Sequence, residues 1–226
     1  MRSLITPVTA AILLSHQLPA AHDSKVSERL EEAATVLSEV MNTPDKGIPD
    51  DLMQKAHCAV IVPGLKKGAF IIGGQYGKGF ITCRSRGGWS APAAIRIEGG
   101  SVGFQIGGSE TDVVMLVMNT RGAERLMQSK FTLGAEGEVA AGPVGRNATA
   151  QTDAKMTAEI LGWSRTRGAF AGVSLKGATL RSDHDDNEAL YGQRLGTKEV
   201  VEGTVKAPPA AAKLISMLSK YSPREK

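Results

Sequence analysis

Apolar residues recur at helical spacing near both ends of the chain. From 24 to about 41 they form one stripe, and most of the glutamates lie off that stripe. This spacing predicts an amphipathic helix that packs against another part of the molecule. Near the C-terminus, 208–218 predicts a final helix with Leu214, Ile215 and Leu218 on one side.

Between these helices the apolar residues come in short runs that are typical of strands. The most distinctive pattern is 66–80, where bulky apolar residues alternate with glycines, and it predicts a β-hairpin whose glycines allow bending or close approach of another backbone. The run 113–118 is apolar on both faces and predicts a central strand. Other strands are predicted at 59–62 (closed by Pro63-Gly64), 80–84, from Trp89 onwards, 93–97, 156–163 and 170–180, and short helices at 49–51 onwards, 120–129 and 183–191.

The opening of the hairpin is repeated later in the chain. A basic residue followed by Gly-Ala-Phe occurs at Gly68 and again at Gly168, 100 residues further on, and a weaker glycine-rich copy lies at 99–108. The irregular spacing argues against a solenoid and favours several similar strands of one sheet. We therefore predict an α+β fold: a strongly bent, mostly antiparallel, glycine-rich β-sheet or barrel-like sheet, with the N-terminal and C-terminal helices packed on it.

The first residues have the pattern of an export signal. A positive start, an apolar run and a small-residue region precede His22, so we expect a signal peptide at 1–21 and one domain at 22–226. The alternative is an amphipathic helix retained at the terminus. No later segment approaches the roughly 20 apolar residues of a membrane span. The expected location is periplasmic or secreted, with peripheral membrane association.

Composition adds a bias toward anionic partners. The formal net charge is +4, and two long intervals, between Asp51 and Glu98 and between Glu159 and Asp183, contain basic residues and no acid. Because Lys66, Lys67, Arg84, Arg86, Arg165 and Arg167 lie in the two glycine-rich stretches, we expect them to form one cationic face. The whole predicted lipid-binding set is Lys66, Lys67, Lys78, Arg84, Arg86, Trp89, Arg165, Arg167 and Lys176. The alternative is a set of solvated hairpin tips. Nucleic acid is not expected, since few aromatic residues accompany the charges.

Several motifs in order resemble the SYLF domain family. They are Trp89-Ser90-Ala91-Pro92, Thr111-Asp112 before a strand that ends at Asn119, Gly142-Pro143-Val144-Gly145-Arg146, Lys176-Gly177 and Tyr191-Gly192. The resemblance covers about 48–192. It implies the fold and a module for lipid surfaces, since the family is associated in eukaryotes with phosphoinositide-containing membranes and with actin. We expect this chain to depart from the eukaryotic pattern in being exported and in lacking an SH3 or FYVE module.

Backbone positions in the glycine-rich and family motifs are expected to be structural. These positions are Gly68, Gly73, Gly79, Gly142, Pro143, Gly145, Gly168 and Gly172.

Three other features suggest chemistry. Gly99 to Gly103 fits G-x-S-x-G around Ser101, but a strand is predicted next and only His184 follows as a histidine, so a small residue in a tight sheet is the better interpretation. His184 and its neighbouring aspartates form a capped turn or, alternatively, a cation site. Cys58 and Cys83 lie in neighbouring predicted strands and either pair in an oxidising compartment or stay free.

The sequence thus leads to three functional hypotheses. The first is a non-enzymatic protein of the cell envelope that binds anionic, phosphoinositide-like phospholipids, and the second is a structural or interaction module whose basic face meets an acidic protein. The third is a serine hydrolase that uses Ser101. No cofactor, metal or nucleotide is expected, because no G-K-[ST] motif is present. The oligomeric state is not determined by the sequence.

Overall fold

A computed structural model provides the structure, which describes residues 18–43, 47–69, 73–101, 107–142, 158–166, 169–170 and 175–223. In this part of the chain, no helix combines the length and the apolar character that crossing a bilayer requires. The helices are α1 (Leu18–Met41), α2 (Asp50–Lys55), α3 (Thr120–Leu126), α4 (His184–Tyr191), α5 (Thr197–Glu202) and α6 (Ala212–Tyr221), with a 3-10 turn at Pro209–Ala211.

Ten strands form one sheet in the described residues. They are β1 (Cys58–Ala69), β2 (Gly73–Ser85), β3 (Gly88–Trp89), β4 (Ala93–Ser101), β5 (Gly107–Val117), β6 (Lys130–Thr132), β7 (Val139–Ala141), β8 (Ile160–Thr166), β9 (Ala169–Phe170) and β10 (Thr179–Ser182). Eight of them lie in the order β6-β10-β4-β2-β1-β5-β8-β7, while β3 pairs with β2 and β9 with β8. Among the strand pairs of the described residues, only β7 with β8 is parallel. The sheet is strongly curled into a half-barrel flanked by helices, which confirms the predicted fold class.

Both faces of the sheet carry an apolar core. On one face α1, α2 and α6 pack over Ile61, Phe80, Leu116 and Trp163, and we call this side of the sheet the α1 face. On the opposite face α3, α5 and the segments around β6 and β10 cover a second cluster that includes Ile81, Ile95 and Met115. Side chains alternate between the two faces along each strand, so the cluster to which one residue belongs fixes the direction of its neighbours.

The glycine-punctuated hairpin is present and is longer than predicted. Lys66 lies opposite Tyr76 and Ala69 opposite Gly73, and residues 70–72 between the strands lie outside the described part. The prediction that Pro63-Gly64 closes the first strand is wrong, because β1 continues through this pair as a bulge. The register shifts there against both β2 and β5, Gly64 has φ of +58°, and its N–H donates to Asp112 Oδ1 at 3.0 Å.

The remaining element predictions are mostly confirmed. The amphipathic stripe of α1 is buried, the capped turn predicted around His184 begins α4 with Asp183 as its cap, and β5 is central between β1 and β8. The helix predicted from 120 is α3, and the structure adds that Asn119 caps it. The predicted strand at 170–180 is wrong at 175–178, where Lys176 and Gly177 form a turn with φ of +83° at Gly177, while Thr179 and Leu180 belong to β10. The short elements α5, β6 and β7 were not predicted. Residues 1–17 lie outside the described part, and the export signal stays a prediction.

Cys58 and Cys83 form a disulfide between β1 and β2. The two residues are directly opposite each other in the register, with their Cα atoms 3.9 Å apart, and both are buried. Sequence alone left this pairing open. The bond joins the two strands at the end of the sheet furthest from the hairpin tip.

Candidate cationic surface

Of the cations predicted to form one face, those within the described residues lie at two ends of the sheet. Lys66 lies near the tip of the hairpin, and Arg165 lies opposite Asp112 at the same end of β5. Arg84 follows the disulfide at the other end of β2 and lies opposite Trp89. At roughly 3.3 Å per residue, the eight positions of β1 between Cys58 and Lys66 put the two groups more than 20 Å apart. The prediction of a single face made by all of them is therefore wrong.

Arg84 has a structural environment. Its guanidinium donates to the carbonyls of Gln54 and Ser222, each at 3.0 Å, and contacts the Ser222 hydroxyl. It also lies 4.5 Å from the centre of the Trp89 ring, which is itself buried. Arg84 and Trp89 thus connect α2 and the end of α6 to β2, while Arg86 lies exposed in the following turn.

Arg165 is also paired within the protein. Its guanidinium contacts the carboxylates of Asp112, at 3.1 Å, and of Glu39 on α1. Burial would lower the pKa of Arg165, but hydrogen bonds to the two carboxylates outweigh it and raise the pKa above the ordinary arginine value. Arg165 therefore holds α1 against the sheet.

Lys78 belongs to a mostly buried ionic cluster between α1, β2 and α4. Its ammonium lies 2.8 Å from both Asp183 Oδ2 and Asp186 Oδ1, and Asp186 also pairs with Arg29 at 2.6 Å and lies 3.1 Å from His22 Nε2. The side chains of the two aspartates are 1% and 2% exposed. Buried carboxylates of this kind require such partners, because an unpaired charge would be costly at this depth.

The pKa values of Lys78 and Asp183 are shifted in opposite directions. Burial would lower the pKa of Lys78, but hydrogen bonds to Asp183 and Asp186 outweigh it, so the pKa is raised. Burial would raise the pKa of Asp183, but hydrogen bonds from Lys78 and from the Asp186 N–H, together with Lys78 and Arg96 charge, lower it. Both shifts favour the charged forms, so Lys78 and Asp183 form an ion pair at neutral pH.

Lys78 also begins a row of basic residues that crosses four adjacent strands. The register places Lys78 opposite Arg96, Arg96 opposite Arg181, and Arg181 opposite Lys130. Their neighbours Ile95, Leu180 and Phe131 point into the second core, so all four basic side chains lie on the α1 face. We call Lys78, Arg96, Arg181 and Lys130 the cation ladder.

The four members of the ladder differ in their partners. Lys78 is paired with two aspartates, and Arg96 Nε lies 2.6 Å from Glu98 Oε1. Among the described residues, neither Arg181 nor Lys130 has an ion-pair partner. Lys130 is exposed on the edge strand, whereas Arg181 is half-buried and its buried Nε has no hydrogen-bond acceptor in the described part. Uncompensated positive charge is therefore concentrated at the edge of the sheet.

A second cationic position lies beside the hairpin tip, also on the α1 face. Lys66 is exposed and lies directly opposite Tyr76, which at 47% exposure is the only large apolar side chain exposed in the described residues. Lys67 is half-buried, and its burial lowers its pKa. The same register continues from Tyr76 through Glu98 to Thr179 and Thr132, so this row runs alongside the cation ladder.

An open cleft lies between α1 and this end of the sheet. Carboxylates and cations line it in equal number among the described residues, with the carboxylates mainly from α1 and the cations mainly from the strands. Lys66, Lys67, Lys78 and Arg165 all contribute to it. Because the opposing charges balance, the cleft itself does not favour a polyanion.

Two of the predicted structural glycines lie where a side chain would not fit. A Cβ at Gly79 would be 2.2 Å from the Ile61 carbonyl oxygen, and a Cβ at Gly142 would be 2.1 Å from Trp163 Cε2. Gly68 lies in β1 with no atom near its missing Cβ, and Gly73 is buried in β2. The predictions for Pro143, Gly145, Arg167, Gly168 and Gly172 fall outside the described residues. Lys176 is exposed in the turn before β10.

The other candidate chemical sites do not form in the described backbone. Ser101 is the last residue of β4 and lies opposite Gly73, and residues 102–106 of the predicted G-x-S-x-G motif and the segment after it lie outside the described part. His184 follows the cap of α4, and its Nδ1 lies 3.1 Å from the Leu195 carbonyl oxygen. No group of three or more potential metal ligands occurs among the described residues.

Comparison with known proteins gives the family. The sequence model of the Ysc84 family, described as Las17-binding protein actin regulator, matches residues 98–221, which is more than half of the chain. The chain belongs to the Ysc84 family. This assignment confirms the resemblance to the SYLF domain, since the two names denote the same family.

Individual relatives match over most of this chain but over only part of their own length. SH3 domain-containing YSC84-like protein 1 of Xenopus laevis is 33% identical over 88% of this chain and 59% of its own length. LAS seventeen-binding protein 3 of Saccharomyces cerevisiae is 35% identical over 77% of this chain and 39% of its own length. An SH3 domain-containing protein of Schizosaccharomyces pombe is 38% identical over 76% and 41%. The family description refers to actin regulation, and the names of these relatives refer to SH3 domains and to Las17 binding rather than to enzymes.

Proposed function

We propose that this chain is a non-enzymatic binding domain that docks on anionic phospholipid surfaces of the cell envelope through the α1 face beside the hairpin tip. The observation that carries the proposal is the pair Lys66 and Tyr76, which lie opposite each other on adjacent strands and are both exposed. A cation next to a tyrosine suits the level of lipid headgroups, where an amphipathic ring and a positive charge are both favourable.

The surroundings of this pair support a surface contact rather than a closed pocket. The strands of the hairpin end there, and the cleft next to Lys66 is open. Several of the other predicted cations already have internal partners: Arg84 has backbone carbonyls, and Arg165 and Lys78 have carboxylates. Of the predicted set, Lys66 is thus a better candidate for an external anion than Arg84 or Arg165.

The expected export fits the disulfide. A buried bond between Cys58 and Cys83 is typical of proteins that fold in an oxidising compartment, such as the periplasm or the extracellular space. In that location the domain would meet the membrane from outside the cytoplasm.

Vesicle co-sedimentation of the full chain tests the proposal. The parent should sediment with vesicles of phosphatidylcholine and phosphatidylglycerol and not with phosphatidylcholine alone, and Lys66→Glu should weaken binding by roughly tenfold or more because charge reversal replaces an attraction of about 1 kcal/mol with a repulsion. Lys198→Glu is the matched control, since Lys198 is an exposed lysine on α5, which packs on the opposite face. Equal sedimentation of the parent with both vesicle types would reject the lipid proposal.

A second candidate function is binding to an acidic protein partner. Its support is the family description, which names Las17 binding and actin regulation for the family. In this alternative the same face would bind protein in the absence of lipid. Co-sedimentation of the parent with actin filaments, lost in Lys66→Glu and kept in Lys198→Glu, would favour it.

A further inference from the structure

We propose that the outer end of the cation ladder, Lys130 and Arg181 with Thr132 and Thr179, is a binding site for a phosphate group. The inference rests on the proposed function, because it names the chemical group that the α1 face would bind. It concerns a different part of that face, at the edge of the sheet, and it uses residues that sequence patterns did not assign to binding.

The argument starts from the register of β6 and β10. Lys130 lies opposite Arg181 and Thr132 opposite Thr179, so these four residues form a two-by-two patch with all side chains on the α1 face. Directly opposite residues have Cβ atoms about 5 Å apart. One tetrahedral anion can therefore contact side chains from both strands.

The charges of the patch are unbalanced. Like charges directly opposite each other in a sheet are destabilising, yet neither Lys130 nor Arg181 has a carboxylate partner among the described residues. The next residue in the row, Arg96, is also basic, and its partner Glu98 lies on the adjacent row opposite Thr179. An anion between Lys130 and Arg181 would remove this repulsion.

Arg181 provides a second and independent observation. Its Nε is buried and has no acceptor among the described residues. A buried donor without an acceptor costs free energy. A ligand oxygen beside the guanidinium would supply the missing hydrogen-bond acceptor.

The donor types match phosphate better than a carboxylate. An arginine fork can bind two oxygens of one phosphate, a lysine adds a point charge, and two threonine hydroxyls can donate to a third oxygen. A phosphomonoester has three such oxygens and a charge between −1.5 and −2 near neutral pH. The shared chemistry is therefore a terminal phosphate, carried either by a lipid headgroup or by free phosphate.

The test uses the full chain and two kinds of probe. One is phosphatidylcholine vesicles that contain phosphatidic acid, compared with vesicles that contain phosphatidylglycerol at equal surface charge. The other is inorganic phosphate, followed by NMR at the Arg181 Nε–H. The ladder variant combines Arg181→Gln with Lys130→Gln. The control combines Lys198→Gln with Lys220→Gln, which removes the same total charge from two exposed lysines on helices.

The proposal makes three linked expectations. The parent binds phosphatidic acid vesicles more tightly than phosphatidylglycerol vesicles, the ladder variant loses roughly thirtyfold in affinity for the former because each cation contributes about 1 kcal/mol, and the control stays close to the parent. Arg181→Lys, which keeps the charge but loses the fork, should fall between the parent and the ladder variant. If the double variant folds poorly, Lys130→Gln alone, at an exposed position on the edge strand, provides the same vesicle-affinity test.

The outcomes separate this inference from the proposed function. If the parent binds vesicles and the ladder variant binds as tightly as the control, the phosphate site is overturned and the lipid proposal stands. If the parent binds no vesicles, the lipid proposal fails, and the phosphate titration decides the site alone. A saturable shift of the Arg181 Nε–H that is lost in Lys130→Gln supports free phosphate as the ligand, and no shift overturns the site.

Discussion

The inner and outer halves of the cation ladder carry the same charge on the same face of one sheet, but they have different environments. Lys78 and Arg96 contact carboxylates from Asp183, Asp186 and Glu98. Arg181 and Lys130 have no such partner in the described part of the chain. The difference shows that charge density along a sequence does not identify a binding surface; the position of the acids that neutralise it does.

The inner half connects three elements of the fold. Asp186 of α4 pairs with Arg29 from α1 and with Lys78 from β2. Asp183 also pairs with Lys78, and it caps α4 by accepting from the Asp186 N–H. Removing one member leaves each of its mostly buried partners with one ion pair fewer. The outer half lies on an edge strand and its neighbour, and among the described residues a substitution there leaves no carboxylate without its ion-pair partner.

The largest expected effect comes from the backbone that positions Lys78. Gly79→Ala would place a Cβ 2.2 Å from the Ile61 carbonyl oxygen and 2.8 Å from Val62 Cα, so β1 and β2 must separate next to Lys78. We expect a loss of about 3 kcal/mol or more in the free energy of unfolding. The matched control is Gly68→Ala on the same hairpin, where no atom lies within 4 Å of the new Cβ. Similar urea midpoints for the two variants would contradict the close approach of these strands.

The next effect separates the inner cluster from an ordinary surface pair. Asp186→Ala removes the carboxylate partner of Arg29 and leaves Lys78 with Asp183 alone, and we expect a destabilisation of about 3 kcal/mol because these cations are mostly buried. Glu98→Ala removes the partner of Arg96 at a more exposed position and should cost about 1 kcal/mol or less. Chemical denaturation of both variants measures the difference, and equal losses would show that depth does not distinguish the two pairs.

The pH dependence gives a third effect, with a sign that follows from the pKa shifts. The folded pKa of Asp183 lies below its unfolded value, so its contribution is present above about pH 4 and is lost as the pH falls through the folded pKa. The folded pKa of Lys78 is raised, so its contribution is present below about pH 10.4 and is lost as the pH rises through the folded value. Stability should therefore fall at both extremes.

Asp183→Asn tests the acid side of this profile. Asparagine keeps a capping acceptor for α4 but removes the titrating charge, so the acid slope of unfolding free energy should become shallower while the helix remains capped. Urea titrations at a series of pH values provide the measurement. An unchanged acid slope in this variant would assign the acid sensitivity to other carboxylates.

Much of the fold follows from local sequence patterns. The buried stripe of α1, the apolar run of β5 and the caps Asn119 and Asp183 are set by residues within a few positions of each other. Pro63 misled the prediction because proline usually ends a strand, but here it lies at a bulge where an irregular ladder tolerates the missing N–H. The short strand β6 gave too few residues for a periodic signal.

The site was less predictable because it depends on register. Lys130 and Arg181 are neighbours only through the pairing of β6 with β10, and nothing in either segment specifies that partner. The acid-free intervals also misled, since the carboxylates that neutralise Arg165 and Lys78 come from Glu39, Asp112 and Asp183, outside those intervals. Pairing across distant segments is the information that the sequence pattern lacked.

The smallest expected effect is on the outer half of the ladder and completes the comparison. Lys130→Gln should change the free energy of unfolding by no more than about 0.5 kcal/mol, because Lys130 is exposed and has no carboxylate partner among the described residues. The direction should be neutral or stabilising, since the variant removes a like charge opposite Arg181. Salt should show the same repulsion: raising ionic strength from 0.1 M to 1 M shortens the Debye length from about 10 Å to about 3 Å and should stabilise the parent slightly more than Lys130→Gln.

Lys78→Gln provides the contrast, because it leaves Asp183 and Asp186 with one fewer cation and should be clearly destabilising. A Lys130→Gln variant as unstable as Lys78→Gln would mean that the outer cations also hold the fold together, and that the edge of the sheet is not free to bind an external anion.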